Sequence, residues 1–331
     1  MVQGHGFCFS PRFSVGIDEF ADCLYAYGTD KVRWEGAYHT VDATGGISLD
    51  PVACARIRRV GHFADSMEST RDVNAVIGFY RHWIIEPFLA KSGNVHAILD
   101  VGAGYGWLSI AFALQPTSRV AARIVAMEPN EPRLRAAREI ATIAGVADRI
   151  EWCTASLGKM PFPNASFDAV FAIEVIEHIY KSKPMMDDLA RVSKERLLIT
   201  TPNRLFPIIQ HDTALPFCHW LPPHWRRTYA AAWGKADHDG NLFWSPGELA
   251  KALPEFRPVT SFMHFNRWSD YVTANRSLGA EFRDSQVREI LYLLASRFGC
   301  LMLPTISLQL ERYAGFVPRT EPRRGNVLVE R

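Results

Sequence analysis

The segment Asp100-Val-Gly-Ala-Gly-Tyr-Gly106 sets a carboxylate directly before three glycines at alternate positions. Glycine adopts backbone angles closed to other residues and lets a ligand come against the main chain. Gly102, Ala103, Gly104 and Gly106 therefore mark a turn suited to close approach. A second carboxylate, Glu128, ends the next apolar run, where an acid can accept hydrogen bonds from both hydroxyls of a ribose. A nucleoside ligand fits both features. A dinucleotide fits less well, because the third glycine comes one residue too soon for Gly-x-Gly-x-x-Gly and Asp100 would face a pyrophosphate as a like charge. An ammonium group is attracted there instead, which points to S-adenosyl-L-methionine, a nucleoside with an amino-acid end and no phosphate.

Two histidines stand where a proton could be taken. His178 comes four residues after Glu174, so a helical turn would put both on one face. A neutral imidazole, with an ordinary pKa of about 6.5, can accept a proton near neutrality. A general base and a residue that only shapes the pocket are level readings for His178. His211 is the second candidate base, with Asp212 beside it and His219 and His224 downstream; lid packing is the plainer reading for each. Among His211, Asp212, His219, Asp237, His238 and Asp239 no recognised ligand spacing occurs, so no metal is expected. Trp220, Trp225, Trp233, Phe243 and Trp244 offer flat apolar area for a pocket wall or lid, or equally for a satellite cluster under a long loop.

These residues are positioned by alternating strands and helices. Apolar residues from Val73 to Phe88 recur at three- and four-residue spacing, a helix that Pro87 should end or kink. Strands are expected at 97–101, 123–127, 150–153, 169–173, 196–200, 258–265 and 306–310. Helices are expected at 105–114, 131–144 with Gly145 as C-cap, 184–192, from Ser245-Pro-Gly-Glu248 onward, and at 283–299. This is an α/β fold, a doubly wound and mostly parallel seven-stranded sheet. The domain is expected to span 69–315, after an N-terminal extension, 1–68, that carries no assignable role, and before a C-terminal tail, 316–331. The proline- and aromatic-rich stretch 204–244 breaks the rhythm and is expected to be an inserted substrate lid.

Of the 331 residues 48% are hydrophobic and 22% charged, the balance of a folded soluble protein. The net charge of +2 gives no broad field for nucleic acid, and none is expected as partner. No Cys-x-x-Cys pair, signal pattern or long apolar run occurs, so a cytoplasmic location is expected, with no transmembrane segment and with peripheral membrane contact left open. Oligomeric state is not written in the sequence.

Ile98-Leu-Asp-Val-Gly-Ala-Gly-Tyr-Gly106 resembles the first motif of class I S-adenosylmethionine-dependent methyltransferases, and Met127-Glu-Pro-Asn130 the second. Residues 160–178, from Met160-Pro-Phe-Pro to Glu-Val-Ile-Glu-His178, are similar to the fourth-strand region of the small-molecule branch that includes ubiquinone- and menaquinone-biosynthesis enzymes. Leu198-Ile-Thr-Thr-Pro-Asn203 resembles its fifth strand. The resemblance covers roughly 70–265. It implies a Rossmann-like methyltransferase fold in which Asp100 and the 102–106 turn hold the methionine moiety, Glu128 binds the ribose and Pro129 flanks the adenine, with Glu174 also at the cofactor. One position departs: where the family often carries an acid toward the adenine amino group, this chain has Ser156, followed by Leu157, whose N–H can donate to the ring.

The implied function is methyl transfer to a small-molecule acceptor, more readily a hydroxyl oxygen of a sugar, lipid-linked, quinone or other secondary metabolite. The alternatives are a nucleic-acid methyltransferase and a non-catalytic cofactor-binding subunit. Against the first, the fourth strand ends Ala-Ile-Glu-Val and the fifth Thr-Thr-Pro-Asn, without the turn or cysteine used on flipped bases.

Overall fold

The computed structural model describes residues 39–41, 47–92, 95–115, 120, 123–179, 183–209, 212–235, 242–261, 268, 272, 286–296 and 304–314. A short antiparallel pair, β1 (His39–Val41) and β2 (Ile47–Leu49), leads into α1 (Pro51–Ile57), α2 (Val73–Tyr80) and α3 (Glu86–Lys91). Then follow β3 (Ala97–Val101), α4 (Trp107–Ala113), β4 (Arg123–Met127), α5 (Glu131–Ile143), β5 (Ile150–Cys153), β6 (Phe167–Ile173), α6 (Lys183–Val192) and β7 (Ser193–Pro202). The chain continues through α7 (Pro223–Ala232), α8 (Pro246–Ala252), β8 (Phe256–Ser261), α9 (Gln286–Ser296) and β9 (Thr305–Arg312).

The main sheet has seven strands in the order β5-β4-β3-β6-β7-β9-β8. Its first five run parallel, and β9 returns antiparallel between β7 and β8. Strand order reverses between β3 and β6, which opens a crevice beyond their carboxyl ends. The central strands are apolar on both faces because helices cover both: β6 is buried from Phe167 to Ala172. Residues of β3 split between two cores, with Ile98 on one face and Leu99 on the other.

Local signals set the helix ends. Asn130 caps α5 by accepting from the Arg133 N–H, and Gly145 follows its end with φ +71°. Ser245 and Glu248 form the expected capping box of α8. The expected helix before β3 is divided: Pro87 opens α3, and Arg81–Ile85 forms a π turn between α2 and α3. Proline lacks the N–H that an unbroken helix would use there.

Two boundaries differ from the sequence reading. Residues 48–68 pack into the same core as the domain expected to begin at 69, with Ile57 and Phe63 buried among its helices. Their apolar runs are too short to show it. The 204–244 stretch is more than a loop, since it contains α7 and a small cluster of Leu215, Cys218 and Ala230. Among the described residues no helix is long and apolar enough to cross a membrane.

Candidate active site

A cavity of about 650 Å³ opens at the crevice. One wall is the turn between β3 and α4. Gly102 has φ +65°, and a Cβ there would stand 2.8 Å from Val175 Cγ2, so the turn packs flush against the segment after β6. Gly104 has φ +58°, and the nearest atom to a Cβ would be Arg133 Cδ at 4.0 Å; its backbone faces open cavity. The turn is pinned by the Ala103 N–H donating to the Met127 carbonyl at 2.9 Å.

Glu128 is locked to that turn. Its Oε2 accepts from the Gly104 N–H and its Oε1 from the Asn130 N–H, each at 3.0 Å. Each carboxylate oxygen keeps a further lone pair for a ligand hydroxyl. Pro129, Ser156, Leu157 and Met185 line the adjoining part of the cavity. Asp100 stands elsewhere than expected: it is absent from the cavity lining, 5% exposed, and accepts from Ser109 Oγ at 2.7 Å. Burial pushes its carboxyl up to about 7. Alternation along β3 points Asp100 behind the turn, and Gly106, also outside the lining, serves as the N-cap of α4.

The opposite wall follows β6. Glu174 and His178 both line the cavity, but by a route other than the helical turn expected. Glu174 holds φ +54°, a left-handed conformation costing a non-glycine residue roughly 1–2 kcal/mol. Its N–H donates to both the carbonyl and Oγ1 of Thr200, each at 3.0 Å, which holds it there. A 3₁₀ turn, Ile176–His178, then carries the His178 side chain to the mouth, 63% exposed. Behind it Glu177 is buried and accepts from Thr201 Oγ1 at 3.0 Å. Burial, then the charge of Glu174, push the Glu177 carboxyl well above the usual carboxylate range, and the two carboxyl groups share a hydrogen bond. His178 Nε2 lies 4.0 Å from Glu177 Oε1.

Several lining residues carry no signal in the sequence. Glu68 and Arg71, 3.7 Å apart, arrive from the segment before α2, and Tyr80 from its end. Burial pushes the Tyr80 hydroxyl up, so it stays a donor. Arg133 lies with its guanidinium carbon 5.5 Å from the centre of the Tyr105 ring. Behind the lining, Glu177 was findable as the second acid of Glu174-x-x-Glu177-His178.

Other expectations do not converge here. His211 lies outside the described residues. His219 is buried, 3.6 Å from Asp212 and edge-on to Phe243. None of Trp220, Trp225, Trp233, Phe243 and Trp244 lines the cavity. Phe243 and Trp244 are core residues, and Trp244 Nε1 donates to the Ile176 carbonyl at 3.0 Å, so the end of the insertion props the His178 turn. No group of three His, Cys, Asp or Glu side chains arranged to hold a metal occurs among the described residues.

Residues 99–198 match the methyltransferase domain family. The ubiquinone biosynthesis O-methyltransferase of Methylocella silvestris is 27% identical over 228 residues, covering 64% of this chain and 83% of that protein. The cycloartenol-C-24-methyltransferase of Arabidopsis thaliana is 34% identical over 113 residues, 33% of this chain and 32% of that protein. Among solved structures, geranyl diphosphate C-methyltransferase from Streptomyces coelicolor A3(2) superposes with a TM-score of 0.46 at 14% identity, over 88% of this chain and 96% of that one. On the family match and the two curated relatives, residues 99–198 belong to a class I S-adenosylmethionine-dependent methyltransferase domain, with S-adenosylmethionine as its cofactor.

Proposed function

We propose that this methyltransferase acts on a hydroxyl oxygen of a small-molecule acceptor, of the sugar, lipid-linked, quinone or secondary-metabolite kind. The observation that carries the reading is a single cavity with the glycine turn and Glu128 on one side and Glu174 and His178 on the other. The cofactor supplies a methyl group activated on a sulfonium. In this reading Glu128 accepts from the ribose hydroxyls, Pro129, Ser156 and Leu157 border the adenine, and the Gly102–Gly104 main chain faces the methionine portion. Glu174 offers charge to the ammonium, and Arg71 offers a cation to the carboxylate. Asp100 acts from behind the turn, through field rather than contact.

His178 is the proposed base. Its exposure at the mouth lets the imidazole reach an acceptor hydroxyl. Glu174 and Tyr80 help define where the acceptor oxygen stands, which matters because displacement needs the reacting atoms in line. The named relatives include both O- and C-methyltransferases, so the preference for oxygen rests on His178.

Incubation with methyl-labelled S-adenosylmethionine and fractionated cell extract tests the reading. Label is expected in a small molecule, in a base-stable ether linkage. Label in RNA or DNA, or in no fraction, would overturn it.

A further inference from the structure

Thr200 fixes the backbone of Glu174, but a glutamate side chain keeps several rotatable bonds beyond its Cα. A charge serves a bound ligand best when its direction is set in advance. The group placed to set it is Glu177, which is buried and whose carboxyl shares a hydrogen bond with that of Glu174. Successive residues at the end of β7 serve the pair. Thr200 Oγ1 accepts the Glu174 N–H, and Thr201 Oγ1 donates to Glu177 Oε2, each at 3.0 Å. Glu177 is itself anchored: its carbonyl accepts from the Leu242 N–H at 2.8 Å, and the neighbouring Ile176 carbonyl from Trp244 Nε1 at 3.0 Å. The end of the insertion thus closes on the turn that carries this acid.

Two carboxyl groups in contact at a buried position do not both ionise; one keeps a proton and becomes the donor. Glu174 lines the open cavity while Glu177 is cut off from solvent, so the proton falls to Glu177. The His178 imidazole, 4.0 Å from Glu177 Oε1, is beyond hydrogen-bond reach and largely exposed, so it does not compensate a buried charge. One proton between two carboxyl groups leaves one negative charge, the complement of a single ammonium group.

We propose that Glu177 is a positioning residue for the cofactor: as a neutral, buried acid it donates to the Glu174 carboxylate and fixes the direction in which that charge faces the cavity. It acts through Glu174 and touches no ligand itself. The proposal rests on the assignment of Glu174 to the cofactor ammonium, and it stands whether or not the acceptor is a hydroxyl.

The test is a double-mutant cycle on the full chain, read as S-adenosylmethionine affinity by calorimetry, with thermal melting to show that each variant is folded. Glu177→Leu keeps the bulk and removes the donor, and should weaken binding about tenfold or more, as loss of a hydrogen bond to a charged group does. Glu177→Gln keeps a neutral group that accepts from Thr201 and donates to Glu174, and should restore affinity to within about threefold of the parent. In a Glu174→Gln background, Glu177→Leu should cost less than about threefold more, because the charge it would have aimed is gone. A Gln variant as weak as the Leu variant overturns the proposal, since the acid's own charge is then what binding uses, as a cation site would. A Leu variant that loses the same in both backgrounds, or nothing in either, overturns it too, the role being structural or nil. Where Glu177→Leu does not fold, Glu177→Gln decides: retained affinity supports the proposal, and a loss of about tenfold overturns it. Unchanged affinity in Glu174→Gln alone overturns the assignment of Glu174 and the proposal with it, whereas a loss there without coupling to Glu177 overturns the proposal only.

Discussion

The two walls of the cavity are made of different material. The wall at the β3–α4 turn is mostly main chain, and its one carboxylate, Glu128, is tied to two peptide N–H groups. The facing wall is side chain: Arg71, Tyr80 and the Glu174–His178 segment come from separate stretches and meet only in the folded molecule. A wall of peptide groups is set by local angles and suits a ligand part that never changes. A wall of convergent side chains can be altered one residue at a time and suits the part that does. Behind each wall sits a buried acid, Asp100 on one side and Glu177 on the other, each pushed up by desolvation.

The comparison predicts that loss of His178, unlike loss of Arg71 or Glu174 on the same wall, spares cofactor binding. His178→Ala should cost the most, lowering the chemical rate about 10²–10⁴-fold while cofactor affinity measured by calorimetry stays within about twofold. A variant that keeps most of its rate would leave His178 as a pocket residue and break the division of labour.

Gly104→Val is the reciprocal experiment. A β-branched residue at φ +58° is strained and fills space on the cavity side, so cofactor affinity should fall on the order of 10²-fold. The melting temperature should fall by only a few degrees, from backbone strain alone, because a Cβ there meets no atom closer than 4.0 Å. Unchanged affinity would mean the main-chain wall is not where the cofactor lies.

Asp100→Asn carries the smallest effect and probes what stands behind that wall. Asp100 titrates at about 7 in the folded protein and near about 3.9 in an unfolded chain. The folded state therefore holds the proton more tightly. Below about pH 4 both states are protonated; between about pH 4 and 7 the unfolded chain ionises first, and the cofactor-free protein loses stability as pH rises. The Asn variant, still able to accept from Ser109, should show a flatter melting profile across that window and melt a few degrees higher at pH 8. Parallel profiles for the two proteins would show that Asp100 is ionised and solvated in the folded state.

Legibility followed the same division. The glycine turn, Glu128, the C-cap at Gly145 and the Ser245–Glu248 box were readable because each depends on residues within a few positions. The five parallel strands were readable because a parallel sheet buried on both faces writes itself as short apolar runs, and β9 because its apolar residues alternate. Helix α7 was hidden in a stretch with many prolines, because Pro222 and Pro223 start the helix rather than prevent it. The aromatic residues of the insertion could not be sorted by type: Trp244 is core and Trp233 is solvent-facing, and nothing local separates them.

By itself the sequence determined which nucleoside-type ligand the crevice takes, since spacing alone sets whether a turn can admit a main-chain contact and where the next carboxylate falls. Only the tertiary structure decided what faces it. Arg71 and Tyr80 reach the cavity because the helices before β3 fold over its mouth, and Glu174 is aimed by a left-handed turn held on Thr200 of β7. Asp100 lies behind the turn because the pleat of β3 sends it there. These are contacts between segments far apart in the chain, and their geometry depends on how layers pack, which short-range spacing does not encode.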